Sequence, residues 1–285
     1  MAANKSATIK LFLPFGDAKG VRTAEISNWS GKAIAAPRSD LDHFLAREEL
    51  AHPGVYILLG ADPETGNPLA YVGEAESVAD RIKQHKSKDY WNAAIAFVSK
   101  DENLTKSHIR YLEGRLIQTA NSIGRYNIAN SQASGSKLPE SDLNDMEVFL
   151  ERIAQLLPVL GSELLTPVVT TVQPSGAPPM LTCKMKGATA TGTRTPNGFV
   201  VMRGSTAVKQ LRESAKTSGP WIISLRNQLI ENGSLAENGE FFVFTKDVEF
   251  ASPSAAAAVI HAGNAAGPVA WKDSTGRTLK EIEGS

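Results

Sequence analysis

Between residues 166 and 180 the chain changes texture: Pro167, Pro174, Pro178 and Pro179, with Gly176 and several threonines, interrupt every periodic pattern. Proline fixes φ and removes a backbone donor, so such a stretch can join helices and strands but cannot lie inside them. The 285 residues therefore read as two domains, 1–161 and 181–285, joined by a Pro-rich linker at 162–180. An apolar fraction of 42% and a charged fraction of 21% are close to globular averages and argue against a disordered chain. The single cysteine, Cys183, excludes an intramolecular disulfide and a cysteine-rich zinc site, and it suits a reducing compartment. The opening residues lack a secretory apolar core, and no stretch approaches the ~20 apolar residues that span a bilayer. The expected setting is cytoplasmic, away from membranes.

Upstream of the linker, hydrophobic periodicity predicts a strand at 8–14 and a polar helix at 37–50 introduced by Ser39 and Asp40. The run 54–60 is apolar throughout, as in a strand buried on both faces. Turn residues at 62–68 and a resumed strand pattern at 69–73 make the pair a hairpin. Ser77 is placed to cap a helix carrying Arg81, Lys83 and His85, with Asp80 answering as in a capping box. A further strand is expected at 93–98, then a helix at 107–121 capped by Thr105. Its apolar face holds Ile109, Leu112, Leu116 and Ile117, and Glu113 lies on that same face. A helix at 141–157 carries a core stripe. Downstream of the linker the pattern gives a hairpin region at 186–203, helices at 205–214 and 221–232, a strand pair at 241–250 and an alanine-rich helix at 253–261. The class is α+β: a small, mainly antiparallel sheet flanked by helices, followed by a second small α+β domain.

The formal net charge is zero, which excludes a globally basic nucleic-acid binder but not a local cationic surface. From Arg81 to Lys137 the cations Arg81, Lys83, Lys86, Lys88, Lys100, Lys106, Arg110, Arg115, Arg125 and Lys137 face only Asp89, Asp101, Glu102 and Glu113. His43, His52 and His261 show no metal-ligand spacing.

Five ordered elements stand out: Gly54-Val55-Tyr56, Tyr71-Val72-Gly73, Arg81 with His85 four residues later, Tyr111-Leu112-Glu113, and an asparagine, Asn127 or Asn130. In this order, over roughly residues 50–132, the chain resembles the GIY-YIG nuclease superfamily. The interval between the first two elements is longer than in the commonest family form, a difference a longer hairpin turn absorbs. The resemblance implies a metal-dependent endonuclease that hydrolyses DNA phosphodiesters by direct attack of water, without a covalent enzyme intermediate. Glu113 is then the ligand of a magnesium (or manganese) ion, Arg81 the donor to the scissile phosphate, Tyr56 the general base and Tyr71 its partner. His85 assists Tyr56 or contacts phosphate, and Asn127 or Asn130 braces the site.

Residue chemistry is compatible with those roles. A hard divalent ion takes carboxylate oxygens, water and phosphate, so one carboxylate suffices when the substrate completes the shell. An arginine fork matches phosphate geometry and is always charged. A phenol with its ordinary pKa of ~10 is a poor base, so the expectation is that metal and nearby cations lower that of Tyr56. Lys83, Lys86 and Lys106 are either solvated surface cations or DNA-steering groups. The segments 192–205, 226–233, 250–257 and 271–279 resemble an uncharacterised domain often found after such nucleases, itself similar to the RAMA domain associated with restriction and adenine methylation. That implies either recognition of DNA or its modification, or a structural role.

Overall fold

The computed structural model describes residues 6–64, 66–130, 135–167, 179–217 and 219–284; most of the expected linker lies outside them. The chain divides into two compact units, Met1–Thr166 and Pro167–Ser285. Among the described residues no helix is long and apolar enough to cross a membrane.

The first unit runs β1 (Ile9–Phe12), β2 (Arg22–Ile26), β3 (Gly31–Pro37), α1 (Leu41–Leu45), β4 (Gly54–Ala61), β5 (Pro68–Ala75), α2 (Val78–Gln84), β6 (Trp91–Ser99), α3 (Lys106–Ile123), β7 (Asn127–Ile128) and α4 (Glu140–Val159). Its seven strands form one sheet in the order β1-β2-β3-β6-β4-β5-β7. All neighbours are antiparallel except β5 and β7. The unbroken apolar run of β4 serves two layers. Val55, Ile57 and Leu59 pack with α3 and α4, whereas Tyr56 and Leu58 pack with α1 and α2. The sheet is larger than expected because β2 and β3 escape the sequence pattern. RTAEI is short and carries two charges, and GKAIAAP holds three alanines, which carry little strand propensity, so pairing rather than propensity makes them strands.

The expected helix at 37–50 is instead a 3-10 turn at Arg38–Asp40, the short α1, and a second turn at Glu48–Ala51. Asp40 does not cap it. Its carboxylate accepts from Val21 N–H at 3.1 Å and lies 2.6 Å from His43 Nδ1, tying the segment to the chain before β2. The first unit also extends past residue 161: Ser162, Leu164 and Leu165 are buried, and Thr166 O accepts from Arg125 Nε at 2.6 Å.

The second unit runs β8 (Leu181–Met185), β9 (Ala188–Thr195), β10 (Gly198–Val201), β11 (Thr206–Val208), α5 (Glu213–Thr217), α6 (Pro220–Glu231), β12 (Leu235–Asn238), β13 (Phe241–Phe244), β14 (Val248–Phe250), α7 (Pro253–His261), α8 (Gly267–Ala270) and α9 (Leu279–Glu283). Two antiparallel sheets, β14-β10-β9-β8 and β11-β13-β12, share a core with α6 and α7. The expected helix at 205–214 is replaced by β11 and the brief α5, because Thr206–Val208 finds a partner in β13. The strands of 241–250 do not pair with each other: β13 joins one sheet and β14 the other. Asp247, between them, accepts from Arg203 N–H at 2.7 Å. Helix α7 has the expected bounds, with Ser252 capping it through Ala255 N–H at 3.1 Å.

Candidate active site

Strand alternation puts Tyr71, Gly73 and Ala75 on the α2 side of β5, and Val72 and Glu74 on the α3 side. Among the described residues the outer edge of β5 is only partly covered. β7 pairs with Leu69 and Ala70 alone, and Asn130 continues the cover with its side chain. Its Nδ2 donates to Val72 O at 2.6 Å and its Oδ1 accepts from Val72 N–H at 3.0 Å. Past that point no named strand pairs with the edge among the described residues, so the two faces of the sheet meet there.

On the α2 side, Tyr56 is fully buried and Tyr71 partly so. Gly73 pairs with Tyr56 across the strands, and a Cβ at Gly73 would stand 2.4 Å from the phenol. The motif glycine is therefore what lets the Tyr56 ring lie across β5. Helix α2, opened by Ser77 accepting from Asp80 N–H at 3.4 Å, brings His85 at its C-cap over the phenols. The Asp80 carboxylate takes the Ser77 hydroxyl at 2.9 Å. Tyr56 Oη and His85 Nε2 lie 3.0 Å apart. The ring centroids are 4.8 Å apart for Tyr71 and His85 and 6.1 Å apart for Tyr56 and Tyr71. Exposed Arg81 donates to Gln84 Oε1 at 2.8 Å, and its charge acts on Tyr56, Tyr71, His85 and Glu113.

On the α3 side, Glu113 is 8% exposed. Burial first, then the Glu74 carboxylate, push its pKa up to about 7, against the pull of Arg110, a Glu74 backbone hydrogen bond and Arg81. Burial and Tyr71 raise the Tyr56 phenol well above its ordinary value, and Arg81 offsets only part of this. The expectation of a lowered Tyr56 is thus corrected for the protein alone: desolvation outweighs the single nearby cation. His85 shifts down through burial, then Arg81 and Lys88, which keeps the imidazole neutral at neutral pH.

Tyr56, Tyr71, Arg81 and His85 thus form one cluster, and Arg81 links it electrostatically to Glu113. Asn130 pins the strand beneath them, whereas the Asn127 side chain is exposed on β7. Tyr111 points away, donating to Glu147 Oε1 at 2.5 Å, where Arg115 also binds, and so staples α3 to α4. Lys83, Lys86 and Lys106 are ion-paired, with Asp80 at 2.9 Å, Asp42 at 3.0 Å and Glu76 at 3.0 Å. The sequence pattern missed three residues around the site. Glu74 is legible from strand period, being two after Val72. Arg110 lies one turn before Glu113. Tyr90, raised to about 12 by burial and then Tyr71, has no sequence signal beyond its aromatic type.

No group of three or more His, Cys, Asp and Glu side chains able to hold a metal exists among the described residues. The donor set at this edge is carboxylate oxygen, Glu113 with Glu74 beside it, which suits a hard divalent ion that keeps waters and phosphate in its shell.

Residues 181–283 match the family described as a domain of unknown function, DUF4357, a match that falls within the second unit. Comparisons of the chain with curated proteins and with solved structures gave no match.

Proposed function

We propose that the first unit is a divalent-metal-dependent nuclease of the GIY-YIG type that cuts DNA by direct attack of water on phosphorus. The observation that carries this reading is the meeting, beside the β5 strand, of a Tyr56–His85 pair, Tyr71, a permanently charged Arg81 and the buried carboxylate of Glu113. Glu113 would hold a magnesium or manganese ion, with Glu74 alongside. The chemistry such an ion supplies when bound is relief of charge on the phosphate oxygens.

Arg81 stands exposed at the mouth, hydrogen-bonded to Gln84 and to the Tyr56 and Tyr71 phenols, and its fork would turn from these to a phosphate. The raised phenol of Tyr56 makes it a poor base by itself, but His85 beside it is neutral. A proton leaving water for Tyr56 Oη is matched by the phenol proton passing to His85 Nε2. Tyr71 packs on His85 and orients the pair, and Asn130 fixes the strand that carries Tyr71 and Gly73. We further propose that the second unit selects the DNA, since its sequence resembles a modification-associated domain and a tethered binder raises the local concentration of the cutter.

The test is incubation with single-stranded, duplex, branched and methylated DNA, with magnesium or manganese and with chelator, beside two variants. Glu113→Gln is expected to abolish cleavage in a folded protein. Arg81→Ala is expected to lower the single-turnover rate by ~10²–10³ at saturating DNA. Cleavage undiminished in chelator or in Glu113→Gln would overturn the mechanism. DNA binding without cleavage under every condition would favour a non-catalytic DNA-binding module.

A further inference from the structure

Resting on the nuclease reading, we infer that Asp42, Glu76 and Asp80 form an electrostatic brake that keeps the first unit's grip on unselected DNA weak. Three of the lysines near the site in sequence are Lys83, two residues after Arg81, Lys86, next to His85, and Lys106, which opens the helix that carries Glu113; Lys88, whose charge reaches His85, lies close by as well. Each is held by a carboxylate from nearby: Asp80 at 2.9 Å, Asp42 at 3.0 Å and Glu76 at 3.0 Å. Asp42 comes from α1 and Glu76 from the residue after β5, so two of the three pairs join separate elements rather than neighbours on one helix. Both partners of every pair are about half exposed or more, Asp42 as much as 92%.

DNA affinity of the sequence-independent kind comes from net cations that replace the counterions on phosphate. A lysine with a carboxylate 3 Å away brings no net charge to the duplex. Turning the ammonium towards a phosphate does not remove the problem, because the carboxylate stays well inside the ~8 Å screening length at physiological salt. The unit as a whole follows the same rule: Met1–Thr166 carries 18 Lys and Arg against 21 Asp and Glu, while Pro167–Ser285 carries 12 against 9. A cutter built this way depends on Arg81 and its metal for the reacting phosphate, and on another surface for residence on the duplex. Exposed pairs contribute only ~0–1 kcal/mol to stability, so these carboxylates can be neutralised without unfolding the protein.

The experiment compares the full chain with the Asp42→Asn, Glu76→Gln, Asp80→Asn triple variant in chelator, reading binding to plain duplex by fluorescence anisotropy over a salt series. Asparagine at 80 keeps an acceptor for the Ser77 hydroxyl, and Glu76→Gln alone serves as a variant that leaves α2 untouched. The variant is expected to bind about tenfold tighter or more at low salt. Its log–log salt slope should steepen by up to about 0.9 for each lysine released. Adding Lys83→Ala, Lys86→Ala and Lys106→Ala should return both quantities to the starting values. Unchanged affinity and slope in a wild type that binds and cleaves DNA would overturn the brake and leave the nuclease reading standing. Failure of wild type and variant alike to bind DNA at low salt would bring down both.

Discussion

Glu113 in the first unit and Arg226 in the second are both ionisable groups almost wholly removed from water, at 8% and 3% exposure, yet their surroundings differ in kind. The Arg226 guanidinium donates to Val208 O at 2.7 Å, to Lys209 O at 3.4 Å and to Val259 O, and it stacks on Phe242. Those carbonyls end β11 and lie on α7, so the side chain bolts two elements to α6. Glu113 is pressed toward a second carboxylate, with Arg110 and Arg81 only partly compensating. The second unit's other polar contact of note, Cys183 Sγ with His261 Nε2 at 3.2 Å, is equally quiet. Burial pushes the thiol up to about 12 and, with Arg212, lowers the imidazole, so neither is charged at neutral pH and no thiolate nucleophile forms. The Arg226 charge is met by three carbonyls, whereas Glu113 has a backbone hydrogen bond from Glu74 but also that residue's carboxylate beside it, and its pKa is raised.

The sharpest way to break this contrast is Arg226→Ala. It strands buried carbonyls of two elements and leaves a cavity, so the second unit should lose on the order of 4 kcal/mol. Denaturant unfolding followed by tryptophan fluorescence would read this, and under the proposed function the single-turnover cleavage rate at saturating DNA should not change. A stable protein with lost cleavage would mean that the two buried charges do not differ as argued. Next in size is the pH dependence of Glu113. Its pKa rises from 4.5 to about 7 on folding, so the neutral form's contribution to stability is complete below about 4.5 and disappears as pH climbs through 7. In chelator, wild type and Glu113→Gln should therefore match near pH 4.5. By pH 7.5 the wild type should be less stable, by at most about 3 kcal/mol, and added magnesium should narrow the gap. Parallel stability curves across that range would show that Glu113 is not strained by burial.

What the sequence made legible followed one rule: it was visible where local pattern and tertiary role agreed. The run 54–60 is apolar on both faces because helices cover both faces. Ser252 and Thr105 cap the helices they precede, the latter in a box completed by His108 rather than by an acid. Tyr56, Tyr71, Arg81 and His85 come together because strand and helix periods fix their faces. Short, charged β2, alanine-rich β3, and β11 with its three residues were hidden because neighbouring strands define them. The ionisation of Tyr56 was misjudged for a related reason. Sequence shows that a cation is near, but not that the phenol is buried, and burial has the larger effect. Glu74 was readable from period two but carries no motif letter of its own.

The smallest effect separates the two asparagines that the motif left open. Asn130 imitates a strand, returning both a donor and an acceptor to Val72, while the side chain of Asn127 is exposed on a two-residue strand. Asn130→Ala removes two partly buried hydrogen bonds, and water can reach some of the vacated edge, so the cost should be about 1–2 kcal/mol. Asn127→Ala should stay within about 0.5 kcal/mol. Asn130→Asp discriminates further. A carboxylate still accepts from Val72 N–H but has no donor for Val72 O, so two acceptors face each other and the loss should exceed that of alanine above pH 5 and shrink as the acid protonates. Because Val72 lies between Tyr71 and Gly73, the same series should lower cleavage in the same order, each by less than Arg81→Ala. Equal stability and equal turnover in all three variants would mean that the edge of β5 holds its shape without Asn130, and that the site owes its geometry to the β4–β5 pairing alone.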